Sequence, residues 1–373
     1  MPTFNDLVPR GENQSIDWCS IEDAFDWFRA LDGCPQDPVF HAEGDVKHHT
    51  RLVTEALVAD PTWGSRNDGE CTALFWAALL HDVAKPATTR TYDNARVTSV
   101  GHARRGQIMA RQILWRMGAP YLLREQICHL ITHHQVPLHL WDRERPERRI
   151  HTISHQTRCD LLAALARADV IGRVCPDHGR LLDNVALFQE MAQEEDCLST
   201  PRVFPSAHSR FLYFRKPDRS PTYEAYDDWH GAATLLSGLP TAGKDRWLAT
   251  HPGDRIVVSL DALRTELDVD PTASQGPIVA AARERAKAAL RAGKSLIWNA
   301  TNVSHDLRRG LIDLFADYRV KVSIVYFETS VEEVLRRNAE RERPVPERAM
   351  TRMLAHWEPP DLTECHDLQI VLT

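Results

Sequence analysis

Two short motifs in different halves of the chain carry residues that could do phosphate chemistry. The first is His81-Asp82, which closes an apolar run of helical character. An imidazole beside a carboxylate is a mixed ligand set that suits Zn²⁺, Mn²⁺, Fe²⁺, Co²⁺ or Ni²⁺. The second is the run 234–247, which contains Gly-x-x-x-x-Gly-Lys between an apolar strand and a helix. That placement is typical of a phosphate-binding loop.

Further candidate metal ligands flank the first motif. A lone His-Asp pair is a weak signal, but His49 precedes it and Asp169 follows it. This order resembles the HD-domain phosphohydrolase superfamily, and the stretch 41–50 resembles the HD domain appended to some bacterial tRNA CCA-adding enzymes. The resemblance implies a metal held by His49, His81, Asp82 and Asp169.

The resemblance also implies a second metal, as in binuclear members of the superfamily. His102 and His133 would complete that site, although His48 or His134 could replace its neighbour by a small change of register. Lys85, one helical turn beyond His81, would lie near the scissile phosphate and neutralise developing charge. A metal in such a site lowers the pKa of its water and screens the phosphate oxygens.

The phosphate-binding loop has one unusual residue. Gly238 and Gly243 would let backbone N–H groups surround the phosphates of ATP, with Pro240 between them in the ATP-binding loop, and Lys244 would bridge the outer phosphates. Asp245 stands where Ser or Thr normally binds Mg²⁺. A carboxylate also binds Mg²⁺, but it adds negative charge beside the phosphates. The alternative is a loop that no longer turns over ATP.

Asp261 and Arg264 follow the next predicted strand as Asp-x-x-Arg. An Asp at the carboxyl end of a strand beside the loop can accept the proton of an attacking hydroxyl. The Arg, one helical turn on, can hold a phosphate of the acceptor. The simpler interpretation is an Asp that caps the helix.

Arg337 and Arg341 lie four residues apart in a predicted helix. On one helical face they could close over the triphosphate and stabilise the transferring phosphoryl group. The alternative is a solvated helix of charge pairs.

These three features together resemble the 5′-kinase module of polynucleotide kinases. The resemblance implies that Lys244 and Asp245 handle ATP and metal, that Asp261 is the general base and that Arg264 binds the acceptor's 3′-phosphate. Arg337 and Arg341 would form a lid, and Thr301 and Asn302 would line the acceptor groove. Ala300 stands where the phage-type enzyme has Asp.

Periodicity predicts a multidomain chain, all-α in its first part and α/β with a parallel sheet in its second. The clearest helices are predicted at 71–81, 101–117, 124–134 and 159–171, and after the linker at 278–292 and 305–318. Strands are predicted at 233–237, 255–259, 295–299 and 321–327. The predicted parts are a hydrolase domain over 1–200, a Pro-rich linker over 201–230 and a kinase domain over 231–373.

Length and composition fit two ordinary globular domains. The 373 residues exceed what one core usually supports, and the net charge of -7 excludes a generally basic nucleic-acid coat. Eight cysteines without a Cys-x-x-Cys pair indicate a reducing compartment. With neither a signal peptide nor a membrane-spanning apolar run, we expect a cytoplasmic protein.

The order of hydrolase, linker and kinase resembles the bacterial HD-Pnk family of RNA end-healing enzymes. It implies ATP- and Mg²⁺-dependent phosphorylation of a 5′-OH on RNA or DNA, and removal of a 2′-phosphate, 3′-phosphate or 2′,3′-cyclic phosphate with Mn²⁺, Ni²⁺, Co²⁺, Cu²⁺ or Zn²⁺. A separate RNA ligase would use the products. The rival hypotheses are an HD nucleotide hydrolase with an ATP-sensing P-loop domain, and a catalytically degraded RNA-binding protein.

Overall fold

The computed structural model describes residues 4–10, 15–93, 96–251, 253–270 and 274–373. It divides into two compact units, Met1–Val203 and Phe204–Thr373. The first is helical and the second is built on a parallel sheet, so the predicted fold class is confirmed. In the described part of the chain, no helix is both long and apolar enough to cross a bilayer.

The first unit is a bundle of helices with one small hairpin. The helices are α1 Trp18–Ala24, α2 Asp26–Arg29, α3 Val46–Val58, α4 Asp68–Leu80, α5 Lys85–Thr88, α6 His102–Arg116, α7 Tyr121–His133, α8 Val136–His139, α9 Pro146–Ser154, α10 Cys159–Ile171 and α11 His178–Glu194. Strands β1 (Arg90–Thr91) and β2 (Val97–Thr98) pair antiparallel between α5 and α6. We did not predict this hairpin, because each strand is only two residues long.

Helix α4 is the centre of the bundle. It begins at a capping box in which Asn67 and Glu70 satisfy each other's backbone N–H groups. Every residue from Cys71 to Leu80 is buried, so the helix is apolar all round and packs against α3, α7 and α10. A rigid, buried helix therefore carries His81 and Asp82 at its C-terminal end.

Gly172 explains how closely α10 approaches α3. A Cβ at this position would lie 2.8 Å from the backbone nitrogen of Val53, which no side chain could tolerate. The close approach brings Asp169 on α10 and His49 on α3 to the end of α4. Glycine is therefore needed to assemble the three elements.

The second unit contains a five-stranded sheet whose strands all run parallel, in the order β4-β5-β3-β6-β7. The strands are β3 Ala232–Gly238, β4 Ile256–Ser259, β5 Leu296–Asn299, β6 Lys321–Glu328 and β7 Asp367–Leu372. The helices are α12 Ala207–Arg215, α13 Lys244–Thr250, α14 Leu260–Glu266, α15 Gly276–Arg291, α16 His305–Asp317, α17 Val331–Ala339 and α18 Glu347–Leu354. Successive residues of β3 face opposite layers, since Leu235 packs into one apolar cluster and Leu236 into another.

The expected linker over 201–230 contains a helix that belongs to the second unit. Phe211 of α12 is buried in the same apolar cluster as Leu235, and its ring lies 4.1 Å from that of His366. His366 Nδ1 accepts the N–H of Val322 at 3.0 Å, so its Nε2 carries the proton and donates to Nδ1 of His208, also at 3.0 Å. The two histidines thus join α12 to the strand edge.

This histidine pair predicts a pH-dependent stability for the second unit. Burial and the neighbouring His208 ring lower the pKa of His366 to about 4, against about 6.5 in the unfolded chain. The unfolded state therefore binds more protons between these values, and stability falls as the pH drops through that window. At about pH 5 the expected loss from His366 alone is about 2 kcal/mol.

Thermal unfolding of the full chain at neutral pH and at about pH 5 measures this effect. Because other buried histidines also titrate, the informative quantity is the difference between the wild type and His366→Gln. We expect a smaller loss of stability in the variant on acidification. Equal losses in the two proteins would contradict the assignment.

Candidate functional site

Three histidines at the end of the bundle are fixed by backbone carbonyls. Their Nδ1 atoms donate to the carbonyl three residues earlier, as His81 to Ala78, His102 to Ser99 and His134 to Ile131, each at 2.7 Å. A carbonyl only accepts, so each neutral ring carries its proton on Nδ1. In the neutral form of each ring, Nε2 keeps a free lone pair, and this is the form that binds metals.

These rings and nearby carboxylates form two buried groups of three. His49, His81 and Asp169 make the first, and Asp82, His102 and His134 make the second. Within each group the candidate ligand atoms lie within 4.8 Å of one another. The groups adjoin, because Nε2 of His81 lies 3.2 Å from Oδ2 of Asp82. The arrangement could hold one or two divalent cations.

Unsatisfied polar atoms support a cation at this place. Nε2 of His49, Nε2 of His81 and Oδ1 of Asp82 are buried and make no hydrogen bond to any described residue. Buried polar atoms are normally satisfied, and leaving one unpaired costs about 1–3 kcal/mol. A divalent cation bound by nitrogen and oxygen ligands would satisfy all three, so these residues fit the metal that the sequence predicts.

The structure selects His134 instead of His133 for the second group. Nε2 of His134 lies 3.5 Å from Nε2 of His102. His133 is buried elsewhere, with Nε2 2.7 Å from Oε1 of Gln156 and Nδ1 contacted by Arg149 at 3.1 Å. The choice of His133 is therefore corrected, because neighbouring helical residues point about 100° apart.

This difference predicts opposite results for two adjacent substitutions. His134→Gln should lower bound metal and raise the metal concentration needed for half-maximal hydrolysis by about tenfold or more, since a ligand is lost. His133→Gln should leave metal binding unchanged even if it costs stability. Metal titration of both purified variants tests the prediction, and a greater loss of metal in His133→Gln would contradict it.

Two positively charged side chains, Lys85 and Arg173, keep the carboxylates of the two ligand groups ionised. Burial would raise the pKa of Asp82, but Lys85, whose Nζ lies 2.7 Å from Oδ2, and His81 hold it well below its usual value. Burial also opposes ionisation of Asp169. The charge of Arg173, whose Nη2 lies 2.5 Å from Oδ2 of Asp169, outweighs this effect and holds the pKa of Asp169 well below its usual value. Both carboxylates are thus ready to bind a cation at neutral pH.

Burial also acts on the rings. It lowers the pKa of His134 to about 3 and lowers that of His102. His81 differs, because the Asp82 and Asp169 carboxylates more than offset its burial and raise its pKa. The second group therefore consists of two neutral imidazole rings, His102 and His134, and the carboxylate of Asp82.

Glu43 and Arg173 are parts of the site that the sequence motifs did not reveal. Oε1 of Glu43 lies 2.9 Å from Nδ1 of His49 and 2.8 Å from Nδ1 of His41, and Val174 N–H donates to its other oxygen. Glu43 thus lies at ion-pair distance from Nδ1 of His49, while Nε2 of His49 lies on the side of Asp169. Arg173 lies four residues after Asp169 on the same chain segment, a spacing that could have signalled the pair.

A cleft of about 650 Å³ opens beside the second group. His102, Lys85, His41 and Arg173 line it, and Lys85 also donates to Gln36 at 2.6 Å. The cleft thus offers cationic side chains around the candidate metal ligands, as an anionic substrate requires.

In the second unit, the phosphate-binding loop runs from the end of β3 to the start of α13. Gly238 has a φ of 148°, and a Cβ there would lie 2.6 Å from the carbonyl oxygen of Phe327. Gly243 has a φ of 102° and precedes α13 directly, while Pro240 is buried within the loop. Only glycine tolerates both glycine positions.

Lys244 folds back onto its own loop. Its Nζ donates to the carbonyls of Gly238 at 2.8 Å and Leu239 at 2.7 Å. Burial lowers its pKa to about 8, although Asp245 and Asp261 oppose this shift. The ammonium group therefore already lies where the loop curves, and anionic phosphates would raise its pKa again.

Asp245 is exposed and held by the neighbouring strand. Its Oδ1 accepts the Nδ2 proton of Asn299, the last residue of β5, at 2.8 Å. The contact fixes the carboxylate next to the loop and leaves its other oxygen available. Asp245, oriented by Asn299, thus stands at the position that the usual hydroxyl occupies in the loop.

Asp261 does not cap its helix. Ser259 is the N-cap of α14 and accepts the N–H of Ala262, so the capping interpretation of Asp261 is wrong. Asp261 is exposed in the first turn and forms an ion pair with Arg264. Arg264 also donates to Oε1 of Gln275 at 2.9 Å. The pair stands at the carboxyl edge of the sheet, free of a capping role.

The two lid arginines do not share a helical face. Helix α17 ends at Ala339, so Arg341 lies beyond it, which corrects the prediction. Arg337 is in the last turn and donates to Oε1 of Glu333 at 2.5 Å and to the carbonyl of Thr241 at 3.2 Å. Arg337 thus contacts the phosphate-binding loop, whereas Arg341 lies beyond the end of α17.

Asn302 makes hydrogen bonds to the end of strand β3. Its Nδ2 donates to the carbonyl of Leu236 at 2.7 Å, its own carbonyl accepts from Ser237, and its φ is 45°. The carbonyl of Thr301 accepts the N–H of Gly238 at 2.9 Å. This segment braces the end of β3, and the buried amide of Asn302 is not free to line an acceptor groove.

Comparison with known families finds one match in each of the two units. The HD domain family matches residues 52–164, and the AAA domain family matches residues 234–360. The chain joins an HD domain to a P-loop kinase-like domain. The HD match begins within α3, after His49, and ends within α10, before Asp169, and the AAA match begins within β3.

Individual relatives match only parts of the chain. A multifunctional CCA protein of Halorhodospira halophila (strain DSM 244 / SL1) is 36% identical over 96 residues, which are 26% of this chain and 20% of that protein. The chain thus spans about a fifth of the curated relative it matches. Among solved structures, a kinase candidate from Chloroflexus aurantiacus J-10-fl is 20% identical, covering 39% of this chain and 86% of its own, with a TM-score of 0.32. A sugar kinase from Janibacter sp. HTCC2649 is 18% identical, covering 38% and 84%, with a TM-score of 0.29.

Proposed function

We propose that this protein is a bifunctional RNA end-healing enzyme. The P-loop domain phosphorylates a 5′-OH polynucleotide end with ATP and Mg²⁺. The HD domain removes a 2′-phosphate, 3′-phosphate or 2′,3′-cyclic phosphate with a divalent transition metal. A separate ligase then joins the 5′-phosphate and 3′-OH ends, and the enzyme acts in the cytoplasm.

In the HD domain, His49, His81 and Asp169 would hold one cation, and Asp82, His102 and His134 a second. A divalent cation there supplies Lewis-acid stabilisation of the phosphate and lowers the pKa of water. The chain itself supplies Lys85 and Arg173, which flank the ligands and line the cleft. Both can neutralise phosphate oxygens and orient a terminal phosphate.

In the P-loop domain, each side chain has a separate task. Lys244 leaves the carbonyls of its own loop to contact the outer phosphates of ATP, and Arg337 approaches them from α17. Asp261 accepts the proton of the attacking 5′-hydroxyl. Arg264, already paired with Asp261, turns toward the acceptor's phosphate.

The observation that carries the proposal is the Asp261–Arg264 pair at the strand edge of the P-loop domain. A P-loop alone fits many NTP-using enzymes. A carboxylate without a capping role, next to an arginine and acting electrostatically on Lys244, fits a kinase whose acceptor brings both a hydroxyl and a phosphate. The 5′ end of a polynucleotide is such an acceptor.

One experiment tests both activities. The purified protein is incubated with ATP, Mg²⁺ or Mn²⁺, and an RNA that carries 5′-OH and 2′,3′-cyclic phosphate ends, and both ends are analysed. We expect an RNA with a 5′-phosphate and with a 3′-terminal ribose that carries no phosphate. An HD activity on mononucleotides without any 5′ labelling of RNA would favour the nucleotide hydrolase with an ATP-sensing domain.

A further inference from the structure

The cleft of about 650 Å³ beside the candidate metal ligands is called the metal cleft below. Two more cavities lie next to it, along the β1–β2 hairpin. One, of about 470 Å³, is lined by Ala87, Thr88, Thr89, Arg90, Tyr92, Thr98, Val100 and Arg105. The other, also about 470 Å³, is lined by Tyr92, Asp93, Arg96, Thr98 and Val100. Val100 borders both of them and the metal cleft as well. We call the two cavities together the hairpin groove, which adjoins the metal cleft at Val100.

The hairpin groove is positively charged although the chain as a whole is acidic. Arg90, Arg96 and Arg105 are exposed and line it, and among the described lining residues they face one carboxylate, Asp93. The net charge of the chain is -7, so this concentration of arginine is local. Exposed arginines on one side of a groove fit a chain of phosphates.

Apolar and aromatic surface lies among these arginines. Tyr92 is 50% exposed and Val100 is 85% exposed. An exposed aromatic ring between arginines is a platform on which a nucleobase can stack, while the arginines contact the backbone on either side. Each cavity falls in the volume range of ordinary ligand pockets, so each can take a nucleotide-sized group.

We propose that the hairpin groove binds the single-stranded RNA that precedes the terminal phosphate in the metal cleft. This inference rests on the proposed phosphohydrolase function and names what makes the HD domain select a polynucleotide over a mononucleotide. Arg90 and Arg105 contact backbone phosphates, and Tyr92 stacks on a base. Binding of the reacting phosphate does not depend on Arg90, Arg105 or Tyr92. That phosphate lies in the metal cleft, where the candidate metal ligands are flanked by Lys85 and Arg173.

The first test compares two substrates in the full chain loaded with Mn²⁺. Arg90→Ala/Arg105→Ala should raise the KM for a short RNA with a 2′,3′-cyclic phosphate by about tenfold or more, since phosphate contacts govern affinity. Hydrolysis of a nucleoside 2′,3′-cyclic monophosphate should stay unchanged. The slope of log KM against log salt should become shallower by about 0.7 for each arginine removed.

Arg116→Ala is the matched control. Arg116 is exposed on the same helix as Arg105, about three turns away, and lies outside the groove. It should behave as wild type with both substrates. If Arg116→Ala raised the KM as much as the double substitution, the effect would come from general charge and the groove would not be the binding surface.

Substitutions of Tyr92 distinguish base stacking from charge attraction in RNA binding. Tyr92→Ala should weaken RNA binding by roughly tenfold, and Tyr92→Phe should restore it, because stacking needs only the ring. The readout is fluorescence anisotropy of a 5′-fluorescein RNA with a 3′-OH, whose label blocks the kinase's acceptor end. Equal affinity of Tyr92→Ala and wild type would overturn the stacking role.

The two proposals fail in different ways. If the wild type hydrolyses neither substrate, the proposed HD activity is wrong, and anisotropy still decides whether the groove binds RNA. If the wild type hydrolyses the mononucleotide and RNA equally well with no dependence on salt, the hydrolase stands and the groove proposal is wrong.

Discussion

Asp261→Asn should lower 5′ phosphorylation of an RNA by ATP between about a hundredfold and ten-thousandfold. The substitution keeps the size of the side chain but removes the base that accepts the hydroxyl proton, and general bases contribute rate factors of this order. Because Ser259 caps α14, the loss should not come from unfolding of the helix. Release of the 2′,3′-cyclic phosphate by the HD domain should continue at the wild-type rate.

Transfer of radiolabelled phosphate from ATP to a 5′-OH RNA measures the first activity, and end analysis of a 2′,3′-cyclic RNA measures the second. Asp317→Asn is the matched control, since Asp317 is exposed at the end of α16, away from the loop. Retention of full kinase activity in Asp261→Asn would remove Asp261 from the mechanism and with it the argument for a polynucleotide acceptor.

His49→Gln should reduce the phosphohydrolase activity at least a hundredfold and leave the kinase intact. His49 contributes to the first group of candidate ligands, is fully buried and lies 3.2 Å from Asp169 through its Nε2. Loss of a ligand weakens the metal and the chemistry that depends on it. Metal content of the purified protein should fall together with activity.

The adjacent His48 provides the control in the same helix. His48 is exposed at the start of α3, so His48→Gln should keep both the metal and the activity. If His48→Gln abolished hydrolysis while His49→Gln did not, the register of α3 would be different from that described here.

The sequence predicted the elements whose patterns are strong. The buried helix α4, the parallel strands and the phosphate-binding loop all appear close to the expected residues. Strand β7 was missed, because it is an edge strand whose residues alternate between exposed and half-buried and give a weak signal. Helix α12 was missed because it lies among prolines, and only its contact with the core of the second unit reveals its role.

The same distinction holds for the sites. His81-Asp82 and Gly-x-x-x-x-Gly-Lys could be recognised, because the chemistry fixes residue type and spacing together. The choice between His133 and His134 depends on the rotation of one helix, and the contribution of Glu43 depends on a loop that returns to α3. The role of Asn302 in bracing β3 likewise required the backbone to be known.

The way the HD histidines are oriented has a consequence for sequence variation. Ala78, Ser99 and Ile131 contribute only their carbonyl oxygens to the rings of His81, His102 and His134. Any amino acid supplies that oxygen, so the hydrogen bonds set no requirement on the side chains three positions before the ligands, while burial in the core constrains Ala78 and Ile131. The orienting role by itself therefore selects no particular side chain at these three positions. Covariation methods would find no trace of these contacts.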